Sequence, residues 1–149
     1  MTQQSKPFEI RHQYVKDVSF ENYCFWTWAD EAPDVDIKID NAIHKINDDH
    51  FNISLQIKIN ATVQEKTAFI LDVLYENIVF VNQEVPDHEK QVLLCIHAPT
   101  LLFPFARQLI ADITMHGGIP PIVLAPVDFA SAFMESQEEK NSQPSGLIH

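Results

Sequence analysis

From Phe51 to Val63 every second residue is apolar: Phe51, Ile53, Leu55, Ile57, Ile59, Ala61 and Val63, with Asn52, Ser54, Gln56, Lys58, Asn60 and Thr62 between them. A helix cannot use that pattern, because residues on one helical face recur every three to four positions. A strand with one face in a core and the other polar fits it, and antiparallel sheets are built from such strands. The flanking segments repeat the theme. Val35, Ile37 and Ile39 alternate with Asp36, Lys38 and Asp40 as a second half-buried strand, and Asp48-Asp49 marks the turn between the two. Gln64-Glu65-Lys66 turns the chain into a further strand, Thr67 to Val81. It is apolar on both parities (Phe69, Leu71 and Val73; Ala68 and Ile70), which points to a second face that meets another chain. Phe8, Ile10 and Tyr14 share parity and mark a strand between Phe8 and Phe20. Four consecutive strands joined by short turns predict an antiparallel meander whose edge needs protection.

The second half of the chain reads as helices. A helical segment is expected over Pro86–Ile96, around Val92, Leu93 and Ile96. The main helix is expected from about Leu102 to His116, with Leu102, Phe105, Ala106, Leu109, Ile110 and Ile113 as its apolar stripe. Pro104 fits the first turn, Gly117 the left-handed cap, and Pro120-Pro121 forbid continuation. Asp128 is a good N-cap for a last helix that puts Phe129, Ala132 and Phe133 on one side. The fold class is therefore α+β. Residues 1–7 read as a flexible start, 8–136 as one domain, and the polar residues 137–149 as a disordered tail. Between Asn22 and Ala32, Tyr23, Phe25, Trp26 and Trp28 form an aromatic loop expected to pack on the domain or on a neighbouring subunit.

Charge and composition remove several kinds of function. A net charge of −11 over 149 residues opposes nucleic acid and anionic membranes and favours basic partners. The start of the chain lacks a signal-peptide pattern and no sequence run approaches the ~20 apolar residues of a membrane span, so a cytoplasmic location is expected. Cys24 and Cys95 are far apart in sequence; two reduced thiols are the simpler reading, with a disulfide left open. Three glycines give no phosphate-cradling loop, and the seven histidines never fall at metal-ligand spacing. No nucleophile motif is present. No catalytic residue, metal or cofactor is expected. The apolar, aromatic stretch Leu101–Met134, almost free of catalytic side chains, points to binding.

That stretch carries a family signature. Leu102-Phe103-Pro104-Phe105-Ala106-Arg107, then Gly117, Pro120, Leu124-Ala125-Pro126-Val127, Phe129, Phe133 and Met134, resemble the SecB protein-export chaperones of bacteria. Lys16-Asp17-Val18-Ser19-Phe20-Glu21 resembles that family's first motif, and Thr67-Ala68-Phe69-Ile70-Leu71-Asp72-Val73 its fourth-strand motif. The resemblance spans about Phe8 to Ser136. It implies a four-stranded antiparallel sheet with helices on one face, assembled as a dimer of dimers (a homotetramer). It also implies an ATP-independent holdase that binds unfolded preproteins in the cytosol and delivers them to the translocase ATPase SecA. A SecB-like chaperone dedicated to an antitoxin or another single client is the alternative. Read alone, Asp17, Glu21 and Asp72 beside Ile70 are a solvated acidic surface; the resemblance implies that these four dock SecA. Read alone, Val35, Ile37, Ile39 and Phe133 are core; the resemblance implies a groove for extended client polypeptide. One departure stands out. The family's usual Phe-Glu-x-Pro-x-x-Pro is here Phe20-Glu21-Asn22-Tyr23-Cys24-Phe25-Trp26, with no proline until Pro33, which bears on the geometry around Glu21.

Overall fold

A computed structural model describes residues 6–23 and 31–142. Four strands, β1 (Phe8–Asn22), β2 (Asp34–Lys45), β3 (His50–Val63) and β4 (Lys66–Val81), form one antiparallel sheet in the order β1-β4-β3-β2. The α+β expectation is met, but the meander covers only β2, β3 and β4. β1 pairs with β4, so the chain crosses from one edge of the sheet to the other between β1 and β2. β4 is an interior strand, flanked by β1 and β3, and its second apolar row (Ile70, Leu74, Ile78 and Phe80) lies half-buried on the face away from the helices. Most of the aromatic loop lies in residues 24–30, outside the described residues.

Local chemistry sets the turns. At the β2–β3 hairpin the Asn47 side-chain oxygen accepts the backbone N–H groups of Asp49 and His50 at 3.1 and 2.8 Å. At the β3–β4 hairpin Gln64 and Glu65 both take positive φ, 53° and 66°, the pattern of a two-residue type I′ turn. β1 carries two irregularities, between Ile10 and His12 and between Val15 and Asp17. Each bulge inserts one unpaired residue and flips the faces beyond it. Tyr14 therefore lies opposite Glu76 on the outer face, not with Phe8 and Ile10 as their common parity suggests.

The helices cover one side of the sheet. α1 (Asp87–Val92), a π-helical turn (Leu93–His97) and α2 (Ala98–His116) run as one helical segment, and α3 spans Phe129–Ser142. Ile53, Leu55, Ile57, Ile59, Leu71 and Val73 from the sheet close the core with Leu102, Phe103, Ala106 and Ile110 from α2. The Asp87–His116 segment is long and apolar enough to cross a bilayer by length and composition, contrary to the expectation that no run approaches that; its apolar face is the face packed in this core. The main helix also starts earlier than about Leu102. Pro104 is interior to α2 rather than in its first turn, on an exposed side where the Thr100 carbonyl it leaves unpaired can meet solvent. It is Pro99 that sits at the start, and the Ala98 N–H reaches back to the Leu93 carbonyl as a π-type bond. Pro99 has no N–H to give the Cys95 carbonyl, which accounts for the widened turn.

The end of α2 is a Schellman motif in which Gly118, not Gly117, is left-handed (φ 75°). Ile119 N–H bonds the Thr114 carbonyl and Gly118 N–H that of Met115, both at 3.1 Å. Gly117 is needed for space: a Cβ there would lie 2.8 Å from the Phe20 ring, and its carbonyl accepts the Asn22 side-chain N–H at 2.9 Å. Buried Thr114 accepts Ile122 N–H at 3.0 Å and fixes the segment that follows. Asp128 caps α3 as expected, with its carboxyl held below the usual range by the Ser131 N–H and hydroxyl. α3 continues through Ser142, so residues 137–142, expected in a disordered tail, are helical here.

One core position is out of character. Asn77 is fully buried on the helix side, and its amide has no hydrogen-bond partner among the described residues. An unpaired buried amide costs about 1–3 kcal/mol. Asn77→Leu, which keeps the branching, should raise stability by about 1–2 kcal/mol and Tm by a few degrees. Calorimetry checks this; a lowered Tm would show that Asn77 is hydrogen-bonded in the protein in solution.

Candidate binding surfaces on the two faces of the sheet

The outer face, away from the helices, gathers the expected acidic residues. Glu21 lies opposite Ile70, Ser19 opposite Asp72, and Asp17 opposite Leu74. The bulge after Val15 is what turns Asp17 to this face, beside Ser19 and Glu21 along β1. All four expected residues thus fall on adjacent rungs of one strand pair. Their carboxylates are not loose. Tyr23 donates its hydroxyl to Glu21 Oε2 at 3.1 Å, and Gln56 donates its amide to Asp72 Oδ1 at 3.2 Å. Ile70, Leu74, Ile78 and Phe80 run down β4 on the same face, each half-buried.

Behind the acidic end, Glu76 is buried. It accepts the Tyr14 hydroxyl at 2.9 Å and the Asn52 amide at 3.4 Å, and Lys16 approaches it at 3.9 Å. Burial first, then the Glu76 carboxylate, raises the pKa of the Tyr14 hydroxyl. Sequence reading missed this cluster: Tyr14, Asn52 and Glu76 come from three strands, and only the register aligns them. At the far end of the face Arg11 stacks over the Phe80 ring, 4.8 Å from its centre, and His50 meets it edge-on at 5.6 Å. Glu9, opposite Phe80 at this end, is paired with Arg11 at 3.3 Å, so its charge is balanced there.

The helix-side face is apolar to its edge. β2 is an edge strand whose Val35, Ile37, Ile39 and Ile43 pair with Ala61, Ile59, Ile57 and Ile53 of the core. The helices stop short of covering it. Val35 and Ile37 are 44% and 40% exposed, while Ile39 and Ile43 are half-buried. Near Ile43 the strip opens into a cavity of about 230 Å³ lined by Asn41, Ala42, Cys95, Phe129, Ala132 and Phe133 among others. Phe133 therefore sits by Ile43, at the end of β2 opposite Val35, ~25 Å away at ~3.3 Å per residue. The four expected groove residues share one strip without touching as a cluster. Ile43, Cys95 and Phe129 were missed: Asn41 interrupts the alternation, and Cys95 and Phe129 come from other elements. Burial raises the Cys95 thiol pKa; Cys24 lies outside the described residues.

A third apolar surface flanks β1. Exposed Val15 and Phe105 face a depression of about 440 Å³ with Tyr75, Pro104 and Leu109, and Val18 lies exposed further along β1. Among the described residues no three metal-ligating side chains gather.

Comparison with known proteins fits this arrangement. The family model described as preprotein translocase subunit SecB matches residues 1–140. The chain is 36% identical to the protein-export protein SecB of Bartonella quintana, over 91% of this chain and 89% of that one. It is 32% identical to SecB of Psychrobacter cryohalolentis over 97% of each chain. Its fold resembles a Mycobacterium tuberculosis SecB-like chaperone solved with a ChAD peptide from the HigA1 antitoxin, at a TM-score of 0.67 and 13% identity, covering 81% of this chain and 91% of that one. A match over nearly the whole chain, with two relatives above 30% identity, places this protein in the SecB family.

Proposed function

We propose that this chain is an ATP-independent export chaperone that holds preproteins unfolded in the cytosol and passes them to SecA. The observation that carries this reading is the uncovered apolar row on β2 that leads into the Phe133 cavity. Apolar burial is non-directional and scales with area, so such a strip accepts many sequences as long as they are extended. Among the described residues the outer edge of β2 is unpaired and offers backbone N–H and C=O groups to an extended client. Folded proteins hide both their apolar side chains and their backbone, so selectivity follows from the client's folding state. No covalent step is needed. The acidic end of the outer face is the SecA-docking surface in this reading, through Asp17, Glu21, Ile70 and Asp72. The apolar surface at Val15, Val18 and Phe105 supports assembly into a dimer of dimers, which multiplies weak contacts along one client.

Binding of one preprotein in its urea-unfolded and native forms tests the reading. The unfolded chain should co-elute with the chaperone in gel filtration and the native form should not. Equal binding of both, or of neither, would contradict it. Binding of an antitoxin peptide alone, with no preprotein bound, would support the single-client alternative.

A further inference from the structure

The docking reading leaves open what holds Glu21 in place once the family's prolines are missing. Glu21 is exposed near the end of β1, and a glutamate there has three free torsions to lose when a partner binds. The structure supplies a substitute at the position after next. Residues two apart on a strand share a face, and Tyr23 donates its hydroxyl to Glu21 Oε2 at 3.1 Å. Tyr23 is itself anchored, because its backbone N–H bonds the Ala68 carbonyl at 3.0 Å and extends the β1–β4 ladder past Asn22. The Tyr23 pKa is raised, first by its hydrogen bond to Glu21 and then by the carboxylate charge. Asp72 is treated alike by Gln56, at 3.2 Å. Each carboxylate thus accepts from a neutral donor, with Lys58 opposite Asp72 across the β3–β4 pair.

We propose that Tyr23 and Gln56 are positioning residues of the docking face, which orient Glu21 and Asp72 toward a cationic segment of the partner. The inference rests on the SecA-docking reading. A neutral donor fixes the carboxylate without cancelling its charge, whereas a lysine would fix it and neutralise it. Preorganisation removes part of the ordering cost that binding otherwise carries. For one such side chain the effect on affinity is about two- to tenfold.

The test uses the full chain and purified SecA in titration calorimetry. Tyr23→Phe keeps the ring and removes the donor; it should weaken SecA binding about two- to tenfold without changing Tm or client affinity. Gln56→Leu should act similarly. In a Glu21→Gln background Tyr23→Phe should have no further effect, because its route to the partner is gone. Wild-type affinity in Tyr23→Phe, or the same loss with and without Glu21, would overturn the proposal. If Glu21→Lys itself leaves SecA binding unchanged, it is the docking reading that fails.

Discussion

Asp17→Lys with Glu21→Lys should lower SecA affinity by about 100-fold, at roughly tenfold per reversed charge. Both side chains are exposed on the outer face of β1, and neither makes a salt bridge among the described residues. The fold should tolerate their replacement, with Tm within a degree or two of wild type. Asp72→Lys is the poorer choice, since it would face Lys58 directly across the β3–β4 pair and repel it. Client affinity should be almost unchanged, because the strip proposed to bind clients lies on the opposite face of the sheet. The wild-type interaction should weaken steeply with salt, and that dependence should flatten in the double variant. Calorimetry with SecA, and separately with an unfolded preprotein, reads both quantities. Parallel loss of the two would indicate a damaged fold.

The second large effect belongs to β2. Val35→Ser with Ile37→Ser should weaken unfolded-client binding by about 10- to 30-fold, on the order of 1 kcal/mol per side chain newly buried by the client. The estimate lies below full burial because each residue already rests partly on the sheet. Because both side chains are 40% or more exposed, the substitutions should cost less stability than a change at their core partners Ala61 and Ile59. SecA binding should stay as in wild type. Fluorescence titration with a labelled unfolded preprotein measures the loss, and unchanged affinity would remove Val35 and Ile37 from the client path.

The parts of the fold governed by local pattern were legible in the sequence. Strict alternation located β3, Asp128 announced α3, and the run of strands before helices gave the α+β class. What the sequence did not show depends on non-local geometry. The pairing of β1 with β4 puts an edge strand beside the last strand, and no local signal specifies it. The two bulges in β1 reverse its facing twice, so parity could not show that Tyr14 belongs with Glu76 while Asp17 turns outward. Pro104 was placed in a first turn by its usual preference, but exposure lets it sit inside a longer helix, and the role expected of Gly117 passed to Gly118. The residues proposed to dock SecA were named only through family resemblance. Their supporting donors, Tyr23 and Gln56, appear only once side chains are placed.

In the proposed function, client and SecA use opposite faces of one sheet. Methyl-resolved NMR of the isotope-labelled chain tests it most directly, titrated in turn with an unfolded preprotein and with SecA. The preprotein should shift the methyls of Val35, Ile37, Ile39 and Ile43, and SecA those of Ile70 and Leu74. Perturbation of one common set by both ligands, or of Ile70 and Leu74 by the preprotein alone, would contradict it.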